Sequence, residues 1–316
     1  MDFVYAALGL VILVLAGDVL VRGAVNVSLR LGVPALIVSL TIVAIGTSAP
    51  ELLIAIKAVL EDAPGIAVGN VVGSNIANVL LVLGLPALIA GIGMSDCDSR
   101  HSYMQMLAGT ALFAAVAFMA PITWLHGVIL LTFYSVFIGN AMFSGRRHRK
   151  ANNNHDAALH EIEGADEGLA WWKITLFLVL GLIGLPWGAD ILVNSATIIA
   201  RTYDVSETAI GLTLVAVGTS LPELATTVSA ALRRQTAVIM GNVIGSNMAN
   251  LLAIIGISAF FGDIPVAPEI LRFDLWIMVA AALLIAPFIL GKVRIGRIWG
   301  AGFLALYVVY IYLVLG

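Results

Sequence analysis

Apolar residues run along this chain in long blocks rather than in alternation. Stretches free of Asp, Glu, Lys and Arg occupy 31–50, 66–95, 102–145, 174–189, 208–222, 235–262, 275–291 and 298–316. A helix needs about 20 mostly apolar residues to cross the hydrocarbon core. The stretch 102–145 is interrupted by Pro121 with Trp124 and His126 nearby, so it reads as two spans. With the N-terminal apolar run, the pattern predicts ten helices, at 3–22, 35–60, 66–92, 102–120, 125–144, 171–199, 207–231, 237–261, 272–290 and 297–315. A membrane β-barrel would require alternation along each strand, and these runs are apolar all round. The first span lacks a basic leader and a small-residue cleavage site, and is expected to remain as a membrane helix.

Composition agrees with that picture. Hydrophobic residues make up 61% and charged residues 11% of the 316, against about 45–50% and roughly 25% in a soluble domain. Neither a water-soluble surface nor a disordered chain can be built from these proportions. The net charge of -3 leaves nothing to neutralise a phosphate backbone, so nucleic acid is excluded as a partner. One cysteine, Cys97, cannot form an internal disulfide.

The only long hydrophilic segment, 145–170, opens with Arg146, Arg147, Arg149 and Lys150 and continues into an acidic run, with His148, His155 and His160 among the charges. It reads as a flexible, solvated linker between two halves, 1–144 and 171–316. Basic residues concentrate on the cytoplasmic side of membrane proteins. With ten spans, 13 of the 16 Lys and Arg fall on the linker side and 3 on the side of the termini. The linker is therefore expected in the cytoplasm and both termini outside.

The two halves share a repeat. Residues 41–84 and 213–256 align without gaps at an offset of 172, with 21 of 44 positions identical. Asp18 and Asp190 lie at the same offset, in the first and sixth spans, as helix anchors or as gating groups. Five spans per half place the second copy upside down. Inverted repeats of this kind form secondary transporters with a site near the midplane.

Each copy carries G-T-S-x-P-E inside an apolar span: Gly46, Thr47, Ser48, Pro50 and Glu51, then Gly218, Thr219, Ser220, Pro222 and Glu223. A charged side chain at this depth costs about 2.5–3.5 kcal/mol and marks function. Proline lacks the N–H that would bond four residues back, so Pro50 and Pro222 predict kinks that release the carbonyls of Gly46 and Gly218. Irregular backbone at this depth must line a cavity or be buried in protein. The next span supplies G-N-x-x-G-S-N-x-x-N, with Ser74, Asn75 and Asn78 in one copy and Ser246, Asn247 and Asn250 in the other. Ser74 and Asn78 share a helix face. Asn75 and Asn247 read equally well as packing amides or as ligands. Gly69 and Gly73, like Gly241 and Gly245, have the spacing that lets helices approach closely.

The donors are carboxylates, hydroxyls, amides and backbone carbonyls, all hard oxygen, with no thiolate or imidazole in the motifs. Soft metals are disfavoured. Ca2+, which takes about 6–8 oxygens in a flexible shell, suits the set, and Na+ is satisfied by its carbonyls and hydroxyls. Two glutamates neutralise one Ca2+, so Ca2+ and Na+ at overlapping positions would compete.

On these doubled motifs the chain resembles the cation/calcium exchanger superfamily and is similar to microbial sodium/calcium exchangers. The resemblance implies a ten-helix antiporter in which Glu51 and Glu223 bind Ca2+ and Na+. Thr47, Ser48, Ser74 and Asn78 would join from the first copy, and Thr219, Ser220, Ser246 and Asn250 from the second. The carbonyls of Ala44 and Ala216 are implied as Na+ ligands, and the helices at 3–22 and 171–199 as the moving pair. Asn250 departs from members that carry Asp at that position, leaving two site carboxylates rather than three.

A Ca2+/H+ antiporter using the same glutamates is the alternative reading, and a passive cation channel a rival from another class. No nucleotide-binding G-x-x-x-x-G-K-[ST] stretch and no nucleophile constellation is present in the sequence, so neither ATP-driven transport nor an enzyme is expected. No resident cofactor is expected; the bound species are the transported ions and the surrounding bilayer.

Overall fold

A computed structural model describes residues 2–95, 97–151, 168–203 and 216–315. The described chain is helical throughout. Its successive stretches are α1 (Asp2–Leu31), α2 (Ala35–Thr47 and Ala49–Leu60), α3 (Pro64–Ala90), α4 (Arg100–Phe118) and α5 (Trp124–Ala151). They continue as α6 (Trp171–Thr202), α7 (Ala216–Thr219 and Leu221–Leu232), α8 (Thr236–Ser258), α9 (Ile270–Gly291) and α10 (Arg297–Leu315). Among the described residues seven helices are long and apolar enough to cross a membrane, and the bent α2 pair makes an eighth. The other two predicted spans correspond to α4, 19 residues that open on Arg100 and His101, and to α7; the predicted stretch 207–215 lies outside the described residues.

Two boundaries differ from the sequence expectation for physical reasons. α1 runs on to Leu31, past the predicted end at 22, because Arg22 and Arg30 do not stop it. Arg22 pairs with Asp18 one turn back at 3.1 Å, and Arg30 donates to the Leu169 carbonyl at 2.8 Å. α5 continues through Ala151 into the segment read as a linker. Arg, Lys and Ala are good helix formers, and cations are favoured at a helix C-terminus. Residues 152–167 of that segment, with His155 and His160, lie outside the described residues.

The polarity of the molecule is inside out. Its surface carries large apolar side chains, including all six tryptophans, as a lipid-facing exterior requires. α8 is the most enclosed helix, while α1 and α6 lie at the periphery. Those two pack on each other through glycines. A Cβ at Gly181 would meet the Leu20 side chain at 2.5 Å, and one at Gly9 would meet the Leu192 backbone nitrogen at 2.7 Å.

Contacts between the halves are reciprocal. Isolated antiparallel bridges join Ile92 to Ile295 and Ile264 to Ile122, and Ile92 and Ile264 are themselves 172 residues apart. α8 lies directly on α2. At Gly245 an added Cβ would sit 2.6 Å from both the Ala44 Cβ and the Leu40 carbonyl, and at Gly241 2.6 Å from the Leu36 carbonyl. Small residues are what permit this approach.

Asp18 accepts from the Arg233 guanidinium as well as from Arg22, which ties α1 to the turn after α7. Asp190, at the equivalent place in α6, is exposed. Asp18 is thus tied into the bundle by two arginines and Asp190 is not buried.

Gly245→Val should overpack the α2–α8 contact, a change that costs about 1–3 kcal/mol in dense cores. The thermal unfolding midpoint of the purified protein is expected to fall by several degrees, while Gly302→Val, where nothing lies within 4 Å, should leave it unchanged.

Candidate functional site

Both G-T-S-x-P-E segments break their helices at the serine. Ser48 has φ −87° and ψ 10°, Ser220 has φ −87° and ψ 1°, and the two parts of α2 are bent by 44°. Pro50 and Pro222 each fall at the start of the following helical segment, where the missing N–H costs nothing. Glu51 and Glu223 are therefore carried in first turns, where the helix dipole favours negative charge. Both are 1% exposed.

The two copies meet at these residues. Ser48 Oγ donates to Glu223 Oε1 at 3.0 Å. The Thr47 and Ser246 hydroxyls also lie close to this carboxylate, and the two glutamates interact electrostatically. Thr47 Oγ1 lies 3.3 Å from Asn242 Oδ1 and 3.3 Å from the Ala44 carbonyl, which also accepts from the Ser48 N–H at 3.1 Å. Asn242 Nδ2 in turn reaches the Glu223 carbonyl at 3.4 Å.

Further along the chain, α3 and α8 each switch to a π-turn, at Asn78–Val82 and Ala249–Ile254. Asn78 opens one and Asn250 lies in the other. Such turns widen the helix locally and recur at functional sites. The asparagine pairs cross between copies: Asn78 Nδ2 donates to Asn247 Oδ1 at 3.1 Å, and Asn250 Nδ2 to Asn75 Oδ1 at 3.3 Å. Asn75 and Asn247 thus accept hydrogen bonds from the neighbouring amides.

Buried polar atoms normally find partners. Ten buried side-chain N or O atoms among the described residues have none. Six are oxygens of sequence-predicted site residues: Glu51 Oε2, Glu223 Oε2, Asn78 Oδ1, Asn250 Oδ1, Ser220 Oγ and Ser246 Oγ. Ser74 is buried one turn before Asn78, and Thr219 is half-buried beside Ser220. Ala216 begins the short helix that ends at Thr219, at the same offset from Ala44.

Sequence reading missed the π-turns, the part played by Asn242, and two methionine contacts of Asn75 and Asn247. The π-turns have no sequence signature. The methionines could have been found: Met106 and Met278 also stand 172 apart, outside the segment that aligns.

Fold and site together define an all-helical protein of the membrane-spanning kind, with an oxygen-lined polar centre shared by two copies of one motif. The chain belongs to the family described as sodium/calcium exchanger protein, whose profile matches residues 1–143 and 173–316. The sodium/calcium exchanger MaX1 of Methanosarcina acetivorans is 34% identical over 342 residues, covering 98% of this chain and 97% of that protein. The membrane protein MJ0091 of Methanocaldococcus jannaschii is 34% identical over 309 residues, covering 97% and 96%. The structure of the sodium-calcium exchanger NCX_Mj soaked with Na+ and Sr2+ matches with a TM-score of 0.80 at 32% identity, covering 98% of this chain and 97% of that one. The chain is accordingly a multi-pass membrane protein of an exchanger family.

Ser48→Ala removes the donor to a buried carboxylate. Hydrogen bonds to charged groups contribute about 1.5–3 kcal/mol, so the melting midpoint in Na+- and Ca2+-free detergent solution should drop. Ser48→Thr should keep most of the stability.

Proposed function

We propose that the chain is a secondary antiporter that exchanges Ca2+ for Na+ at one oxygen cage between its two halves, with no chemical step. The observation that carries this reading is the set of unpartnered buried oxygens on Glu51, Glu223, Asn78, Asn250, Ser220 and Ser246, all within the two copies of one motif pair. Buried acceptors without donors are costly, and a cation supplies the missing partner. Two carboxylates with neutral amide and hydroxyl oxygens suit a Ca2+ shell. Thr47, Ser48, Ser74 and Thr219 with the carbonyls of Ala44 and Ala216 would complete the positions used by Ca2+ and Na+.

On this reading the ten helices form two inverted five-helix repeats, 1–144 and 171–316, joined by a cytoplasmic linker at 145–170, in a cell membrane with both termini outside. Alternating access would come from α1 and α6. Their glycine-mediated mutual packing and peripheral position support movement of the pair as a unit across a fixed core. An ion-free site would leave two carboxylates without a counter-charge in a low-dielectric interior, so the empty carrier should cross slowly. That is the condition for coupled exchange rather than leak.

The test is Ca2+ uptake into proteoliposomes loaded with Na+ and diluted into Na+-free buffer, beside a set carrying only a proton gradient. Na+-driven uptake is expected, with no uptake in the proton-only set. Glu51→Gln and Glu223→Gln should each reduce it at least tenfold. Uptake driven only by protons would transfer the site to Ca2+/H+ exchange. Flux without any counter-ion gradient would make it a channel. Full transport in both glutamine variants would overturn the assignment of the site.

A further inference from the structure

Beyond the ligand set, we propose that Met106 and Met278 act as positioning residues that fix which end of the site amides faces the ion. This rests on the cage reading above. Asn75 Nδ2 lies 3.8 Å from Met278 Sδ, and Asn247 Nδ2 lies 3.7 Å from Met106 Sδ. All four side chains are at most 3% exposed. A thioether sulfur accepts weakly and cannot donate, whereas an amide has one accepting and one donating end.

The polarity therefore propagates in one direction. Met278 attracts the Nδ2 of Asn75, which turns Asn75 Oδ1 toward Asn250. Asn250 must answer with Nδ2, found at 3.3 Å, and its Oδ1 is left as the end without a protein partner. Met106 does the same through Asn247 to Asn78, whose Nδ2 lies 3.1 Å from Asn247 Oδ1 and whose Oδ1 is also unpartnered. Without the sulfur, either amide pair could rotate by 180° and keep its internal hydrogen bond with donor and acceptor exchanged. The cage would then receive an N–H where a cation needs oxygen. The arrangement occurs twice, at positions related by the same 172-residue offset, 278 − 106 = 172. Each contact also crosses the halves: Met278 of α9 serves Asn75 of α3, and Met106 of α4 serves Asn247 of α8. This relay belongs to a site with amides at both 78 and 250, because a carboxylate presents oxygen whichever way it is turned.

The test uses Met278→Leu and Met106→Leu, nearly volume-conserving changes that cores tolerate well. Equilibrium 45Ca2+ binding to the purified full-length protein is measured with the melting midpoint and the maximal exchange rate. If loss of sulfur makes two amide orientations equal, the competent fraction falls to about one half, and the apparent Kd rises about twofold. The double variant should show about fourfold, with the midpoint and maximal rate little changed. In an Asn250→Asp background, where the carboxylate presents oxygen either way, Met278→Leu should cause no loss of Ca2+ affinity, and in Asn78→Asp the same holds for Met106→Leu. An unchanged affinity in the methionine variants, or an equal loss in both backgrounds, would overturn the relay. Glu51→Gln measured alongside separates the two levels. If it abolishes binding while the methionine variants do nothing, the relay fails and the cage stands. If it binds Ca2+ normally, the cage itself is wrong.

Discussion

Two carboxylates buried at the centre of an apolar molecule set the terms for everything around them. A charge in this environment must be paired, hydrogen-bonded or neutralised, and the chain provides no lysine or arginine in the motifs to do it. Instead Glu223 is held by the Ser48 hydroxyl from the other copy, and both glutamates start helices after a break at a serine. Each copy is thus incomplete without the other. The halves also meet closely where Gly241 and Gly245 of α8 lie against α2.

The two amides opposite each other in the repeats use their donors and leave their acceptors open. Asn78 and Asn250 spend their amide N–H groups on Asn247 and Asn75, and the π-turns at these positions re-aim the side chains relative to Ser74 and Ser246 one turn earlier. In an apolar interior this is costly unless a positive ion is part of the working state. The cation proposed as guest would meet that cost, and membership of the sodium/calcium exchanger family agrees with the proposal.

Much of this was legible from residue order alone. The apolar blocks located the helices to within a few residues where helix ends coincide with charge, as at Pro64–Ala90 and Ile270–Gly291. They failed where an arginine found a partner and the helix simply continued, as at Arg22 and Arg30 in α1. Proline placed the break in α2 correctly to within two residues, since the physics of a missing N–H is local. The pairing of Ser48 with Glu223, or of Asn78 with Asn247, joins residues 175 and 169 positions apart; no local rule specifies it. The repeat offset held more than was taken from it, because the two methionines beyond the aligned segment obey it as well.

The ion pair between Asp18 and Arg233 sets the two sides of the protein apart. At the offset of 172 its counterpart would join Asp190 to Glu61, two acids that repel rather than bind. A duplicated machine with chemically identical halves would spend equal time open to either side. On the alternating-access reading proposed above, a clasp found among the described residues on one side and not on the other would make the resting populations unequal. On that reading an external concentration gradient would act on a carrier with a preferred direction of rest.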